Sequence, residues 1–195
     1  GSGVIRAVGG NGGPNGGGGG GGGGGRVAVY YQSIVGFNPN TQVTAFGGAG
    51  GVGGIPNGGA GTVYLQGPTR ETGELIVDNN SNVPAVLSTP LGSLTLTNLR
   101  VRRASNVRVS GPLALSGALE LSNGASLTVD AAINAPTISL TTNSVLTHLA
   151  TTSTTTFKID MNATTLTIDA TSRIDVTSRG FLGGQQPGNP FGNNG

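Results

Sequence analysis

Residues 94–130 read LTLTNLRVRRASNVRVSGPLALSGALELSNGASLTVD. Leucine, valine or alanine alternates with Thr, Arg or Glu in short runs, and Asn, Gly, Ser or Pro separates one run from the next. An alternation of period two puts the apolar side chains of a run on one face, which is the pattern of a strand with one buried side. The same reading extends outward through ELIVD, TISLTT, TFKID, TLTID and RIDV. No stretch carries apolar residues at helical spacing, and the Thr, Val and Ile content points the same way. The fold class expected is all-β.

The spacing of the runs chooses among all-β architectures. Sorted into trains, one passes through Ile76, Thr95, Ala114 and Ile133, a second through Arg100, Glu120, Ser139, Lys158 and Asp175, and a third through Arg108, Thr128, Leu146 and Thr167. The step within each train is roughly 20 residues, one turn of a solenoid with about three short strands per coil. A parallel β-helix is therefore expected over a sandwich, whose hairpins favour two-residue Asn-Gly turns. In the second train Leu99 and Val101, or Leu119 and Leu121, flank the outward residue, so Arg100 and Glu120 are expected in one ladder with strands ~4.8 Å apart.

Composition divides the chain. Of 195 residues, 38 are glycine, only 9% are charged and 4% aromatic, while 35% are hydrophobic, so the chain departs from ordinary enzyme composition without being as apolar-poor as a disordered one. One elongated domain is expected over 1–195, with glycine-rich coils and insertions in 1–68, regular coils in 69–179 and a Gly/Asn-rich tail in 180–195. In the first part VIRAVGG, RVAVYY, TQVTAFGG and GTVYLQG read as further strands, each bordered by glycine. The run Gly16–Gly25 lies directly against the strand signal at Arg26. Such a run either stays flexible as a loop or packs backbone to backbone as polyglycine II. The abrupt boundary favours packing.

The segments GSGVIRAVGGNGG, GGGGGGRVAVYY, VTAFGGAGG, GGAGTVYLQG, GELIVDN and RIDVTSRGFLGG together resemble the glycine-rich tandem repeats of very large bacterial surface or secreted, adhesin-like proteins. The resemblance implies a parallel β-solenoid module, an extracellular or cell-surface setting, and a role in adhesion or scaffolding. It also implies that the two ends belong together as neighbouring coils. The chain then reads as a mature or excised piece with any targeting signal elsewhere.

Function follows from what is present. The net charge of +2 offers no basic field for nucleic acid, no apolar run is long enough for a membrane helix, and the absence of cysteine removes disulfides and thiolate chemistry. No metal or cofactor is expected: the glycine runs lack the Asp of calcium-binding repeats and the Gly-Lys-Ser/Thr of a phosphate loop. Among acidic residues Glu71, Glu74, Asp160, Asp169 and Asp175 share no motif, and His148, the only histidine, has no evident orienting partner, so a polysaccharide-cleaving enzyme is not expected. Mixed charge in the outward columns argues against a flat threonine array for ice.

Two readings remain. An uncapped solenoid has open strand edges, so the first is a non-catalytic structural module that self-associates end to end as a filament or surface scaffold. Against it, GFNPNTQ or the tail would fold over an end and leave a monomer. The second is an adhesin module that binds a glycan or cell surface. Its candidate contacts are Arg100, Arg102, Arg103 and Arg108, with the bland alternative of a face paired to Glu120 or Asp130, and Tyr30, Tyr31 and Tyr64, with the bland alternative of rings packed on glycine.

Overall fold

The computed structural model describes residues 3–13, 18–82 and 87–181, and the expected tail contacts lie outside them. The first part contains β1 (Ile5–Arg6), β2 (Arg26–Tyr30), the short helix α1 (Pro39–Gln42), β3 (Val43–Thr44), β4 (Thr62–Gly67) and β5 (Arg70–Asp78). There follow β6 (Thr89–Leu91), β7 (Leu94–Leu96), β8 (Asn98–Arg102), β9 (Asn106–Val109), β10 (Leu113–Leu115), β11 (Ala118–Ser122) and β12 (Ser126–Val129). The last strands are β13 (Ile133–Asn134), β14 (Thr137–Leu140), β15 (Val145–His148), β16 (Met161–Asn162), β17 (Thr165–Ile168) and β18 (Arg173–Ile174). The chain is nearly all-β, and its sheets are parallel except where β4 meets β5.

From β5 onward the chain visits three sheets in fixed rotation. The seven-stranded sheet runs β17-β14-β11-β8-β5-β4-β2, the five-stranded sheet β18-β15-β12-β9-β6 and the four-stranded sheet β16-β13-β10-β7. Each circuit lies in register on the one before. Leu75, Leu99, Leu119 and Ile138 form one inward column, and Val77, Val101, Leu121 and Leu140 another. Val107, Leu127 and Leu146 line the second sheet and Leu113 and Ile133 the third, all with no exposed surface, and all join one core. Burying such a side chain stabilises by about 1.5–3 kcal/mol, so these columns dominate stability.

One corner repeats with the circuits. Between the first two sheets stand two successive residues with positive φ: Asn80-Ser81, Arg103-Ala104, Asn123-Gly124 and Thr142-Asn143. Two left-handed residues turn the chain sharply, and amides of the turns donate across circuits, as Ala104 to Asn123 O and Gly124 to Thr142 O. After the last three of these turns a small buried residue, Ser105, Ala125 or Ser144, fills the corner.

The last circuit departs from the expected spacing. Partners one circuit apart are separated by 19 or 20 residues at Gly111–Asp130 and Asn98–Ala118, but by 28 at Ser144–Ser172. The excess is an excursion over residues 149–160, where TFKID is not a strand and the hydroxyl residues from Thr152 to Thr156 are exposed. Arg100, Glu120 and Ser139 do form one ladder, but Thr167 continues it rather than Lys158 or Asp175. Likewise Arg108 and Thr128 are followed by Thr147, Ala114 by Asn134, and Ile76 stands beside Arg100. The excursion displaces the members beyond it, Lys158, Thr167 and Asp175. Ile133 and Leu146, which precede it, are each one residue out of register, and Ile76 is displaced because β5 and β8 partners such as Asp78 and Arg102 are 24 residues apart.

The glycine-rich part is built from two parallel ribbons, β1 with β3 and β2 with β4. Their side chains make a second core of Val43, Ala45, Val63, Leu65 and Ile76, with Val27, Val29 and Phe37 against it. Each strand continues into a glycine-rich string, residues 7–13, 18–25, 45–51 and 55–61. The strings bond to one another at intervals of three residues: Gly9 to Phe46 O and Gly12 to Ala49 O, Gly22 to Gly10 O and Gly25 to Ala7 O, Gly48 to Gly22 O and Gly51 to Gly19 O, Gly58 to Gly48 O and Gly61 to Ala45 O. Backbone groups that find no partner within their own string must bond to neighbouring ones. Asn79, wholly buried, ties the strings to the circuits: its amide oxygen accepts from the Gly47 N–H at 3.0 Å and its nitrogen donates to Gly58 O at 3.2 Å.

Backbone contact explains the composition. A Cβ on Gly9, Gly21, Gly48 or Gly58 would overlap a carbonyl of the adjacent string, whereas one on Gly10 or Gly19 would meet nothing within 4 Å. Gly48→Ala is therefore expected to destabilise by about 1–3 kcal/mol, and Gly19→Ala to stabilise by about 0.4–1 kcal/mol through the unfolded chain, as read by thermal or denaturant unfolding. In the same assay Leu119→Ala is expected to cost about 2–5 kcal/mol and the register-equivalent Leu166→Ala, at the exposed end of its column, less than half as much.

Candidate functional site

Alternation on β8 sends Leu99 and Val101 inward and Arg100 and Arg102 outward, as the sequence pattern requires. Arg100 Nε lies 2.8 Å from Glu74 Oε1 and 3.2 Å from Glu120 Oε2. Glu74 is itself wholly buried and lies 2.5 Å from Arg70 Nε. Arg102 Nε donates to Asp78 Oδ2 at 2.6 Å, while its Nη2 donates to Asn40 O at 2.6 Å. Arg103, in the left-handed corner, donates to the same carboxylate through Nε at 2.8 Å and Nη2 at 2.7 Å. Arg108 stands in the five-stranded sheet, 3.8 Å from Asp130.

Arg100 and Arg102 thus stand in one sheet, Arg103 in the corner beyond it and Arg108 in another sheet, and each faces a carboxylate. Glu74 and Asp78 were absent from the pairing expected on sequence. They meet the arginines because β5 lies beside β8 in register, with Asp78 opposite Arg102. Charges matched in this way leave little field with which to draw in a polyanion, and exposed pairs such as Arg108–Asp130 contribute at most about 1 kcal/mol.

The tyrosines occupy three different settings. Tyr30 is 69% exposed, with its ring centre 5.7 Å from that of Tyr64 and the planes inclined at 56°. The Tyr64 ring lies over Gly73, and the Tyr31 ring over Gly67; a Cβ at either glycine would overlap the ring. Arg70 Nη1 donates to Tyr31 Oη at 2.9 Å. Tyr31, Phe37, Asn38, Asn40, Pro68 and Arg70 line an open cleft of about 440 Å³. Only Tyr31 of this group was singled out on sequence. The signal available for the rest was Asn38-Pro39, an N-cap followed by proline at the first helical position, and the Asn38 side chain does accept from the Asn40 N–H at 3.1 Å.

A further surface is the end of the stack. Among the described residues, strands β16, β17 and β18 are the outermost of their sheets. Leu166 and Ile168 continue the columns of Ile138 and Leu140, yet they are 48% and 40% exposed while the residues beneath them are fully buried. At the other end, the Thr89 hydroxyl of β6 donates to Ala60 O at 2.5 Å, and Ala60 belongs to the main core. A glycine-rich string therefore meets the first circuit.

Among the described residues no three His, Asp or Glu side chains come together as a metal site. His148 points inward beside Val129 in register, 5% exposed, with its ring Nδ1 2.5 Å from Leu149 O. No helix among them is long and apolar enough to cross a membrane. No protein-family model matches the chain, and no curated protein or solved structure matches it.

Asp169 closes the last corner. Its carboxylate accepts from the amides of Thr142 at 2.6 Å, Ser172 at 2.8 Å and Thr171 at 3.0 Å, and from the Thr171 hydroxyl at 2.9 Å. These donors, the Thr142 amide foremost, hold its carboxyl well below the usual carboxylate range. A carboxyl depressed on folding contributes stability that is complete above its unfolded pKa of about 4 and is lost as pH falls below it. Unfolding of the parent chain is therefore expected to become easier from pH 5 to pH 2, and Asp169→Asn to flatten that slope, as read by denaturant midpoints across the range.

Proposed function

We propose that the chain is a non-catalytic structural module of an extracellular filament or surface scaffold, which associates through the end of its strand stack. The rotation through three sheets reads as a parallel β-solenoid with about three short strands per coil, and the glycine strings as polyglycine II insertions. The observation that carries the proposal is the exposure of Leu166 and Ile168 in core register beside three outermost strands. Unpaired strand edges are templates for further strands, and apolar residues continuing a buried column gain by being covered. The extracellular setting rests on the resemblance to glycine-rich surface repeats. The pairing of each candidate arginine with an acid supports a partner other than nucleic acid.

The second reading, a glycan-binding adhesin module, is favoured by the cleft at Tyr31. The arginine face gives it less support, because its charges are spent on Glu74, Asp78, Glu120 and Asp130.

Sedimentation velocity and electron microscopy across a range of concentration test the structural reading. Assembly that grows with concentration is expected, and Leu166→Asp combined with Ile168→Asp is expected to abolish it without lowering the β signal in circular dichroism. A parent chain that stays monomeric throughout overturns the proposal.

A further inference from the structure

The cleft beside Tyr31 has the construction of a small-ligand site. It is large enough for one or two sugar rings, within the roughly 300–1,000 Å³ of common ligand pockets. One wall is aromatic, from Tyr31 and Phe37, and the rest mixes proline with amide and hydroxyl side chains. A pyranose presents a flat C–H face and a rim of hydroxyls, so it needs an aromatic platform and planar amides.

Parts of the lining are held before any ligand arrives. The Tyr31 ring lies on Gly67, and its hydroxyl accepts from Arg70, whose Nε is 2.5 Å from the buried Glu74. The carbonyl of Asn40, another lining residue, accepts from Arg102, and Arg102 is bound to Asp78. The Asn38 side chain is spent on the Asn40 amide, whereas Asn40 Oδ1 is buried and has no hydrogen-bond partner among the described residues. A platform fixed in advance loses little freedom on binding. Charge selects within the sugars. Arg70 is the one charged residue lining the cleft, and Glu74 already compensates it. An acidic sugar gains little there.

We infer that the cleft formed by Tyr31, Phe37, Asn40 and Arg70 binds a neutral oligosaccharide, with one pyranose ring stacked on Tyr31. This inference deepens and rests on the glycan-binding reading and is independent of the structural one, since the cleft and the exposed end at β17 are built from different segments.

Saturation-transfer NMR on the intact chain tests it, with maltotriose, cellotriose, mannotriose and chitotriose as neutral probes and trigalacturonate as the acidic one. At least one neutral trisaccharide is expected to show transfer at millimolar concentration, and trigalacturonate none. Tyr31→Ala is expected to weaken binding tenfold or more. Ser33→Trp, a bulky side chain added at an exposed position lining the cleft, is expected to do the same without removing any contact that holds Tyr31. Tyr30→Ala, outside the cleft, leaves affinity within twofold. Circular dichroism and melting temperature establish that each variant folds. Absence of transfer from every neutral probe, binding of trigalacturonate alone, or parent-like affinity in a folded Ser33→Trp overturns the inference. Sedimentation of the same samples reads assembly separately, so either proposal fails without the other.

Discussion

Strand β5 is buried on both faces, and the rest of the molecule is arranged around that constraint. Leu75 and Val77 face the main core, where they begin the columns continued by Leu99 and Val101. Ile76 faces the second core with Val63 and Leu65. On that second face Glu74 sits between Arg70 and Arg100, with no exposed surface. A buried carboxylate is costly unless paired, and here two guanidiniums reach it from partly exposed positions. The ion pairs thus follow from the placing of the strand, and the arginines that look like a binding face on paper serve to close the junction.

The glycine strings solve a related problem of thickness. Where the ribbons carry Val27, Val43, Val63 and Leu65, side chains hold the layers apart at about the 10 Å usual for packed sheets. Along the same chains the side chains shrink, from Val43 to Ala45 to Gly47 and from Val63 to Gly61, and the layers close until carbonyl meets amide. The abrupt junction at Gly25-Arg26 marks the point where one packing gives way to the other. A run that would otherwise be the most mobile part of the chain gains order from hydrogen bonds to its neighbours, offsetting the larger entropy glycine loses.

The strand content was legible in the sequence because alternation is local: each run declares its inward face without reference to its partner. Arg100, Glu120 and Ser139 were correctly placed in one ladder for the same reason, since the connections between them are uniform. Lys158, Thr167 and Asp175 were misplaced because the excursion at 149–160 lengthens one circuit, whereas Ile133 and Leu146 miss their register by one residue and Ile76 follows from the longer β5–β8 step. No local pattern announces which connection is long. The partners of the arginines were only partly legible: Glu120 and Asp130 lie one circuit away, but Glu74 and Asp78 depend on β5 entering the same sheet. Tyr31 was singled out as an aromatic, yet its setting over Gly67 depends on β2 pairing in register with β4, where Tyr30 stands beside Gln66.

By itself, then, the sequence determined an all-β chain, the inward and outward sides of its strands, and a glycine-rich part distinct from the regular one. These rest on periodicity and on side-chain size, which act within a few residues. Only the tertiary structure decided that β4 and β5 run antiparallel, that four glycine strings share one hydrogen-bonded bundle, and that Leu166 and Ile168 stand exposed at the end of their columns among the described residues. The string and column contacts join segments distant in the chain, where the gain of pairing must exceed the entropy of closing the intervening chain, whereas the β4–β5 reversal is a hairpin in which Gly67 pairs with Arg70.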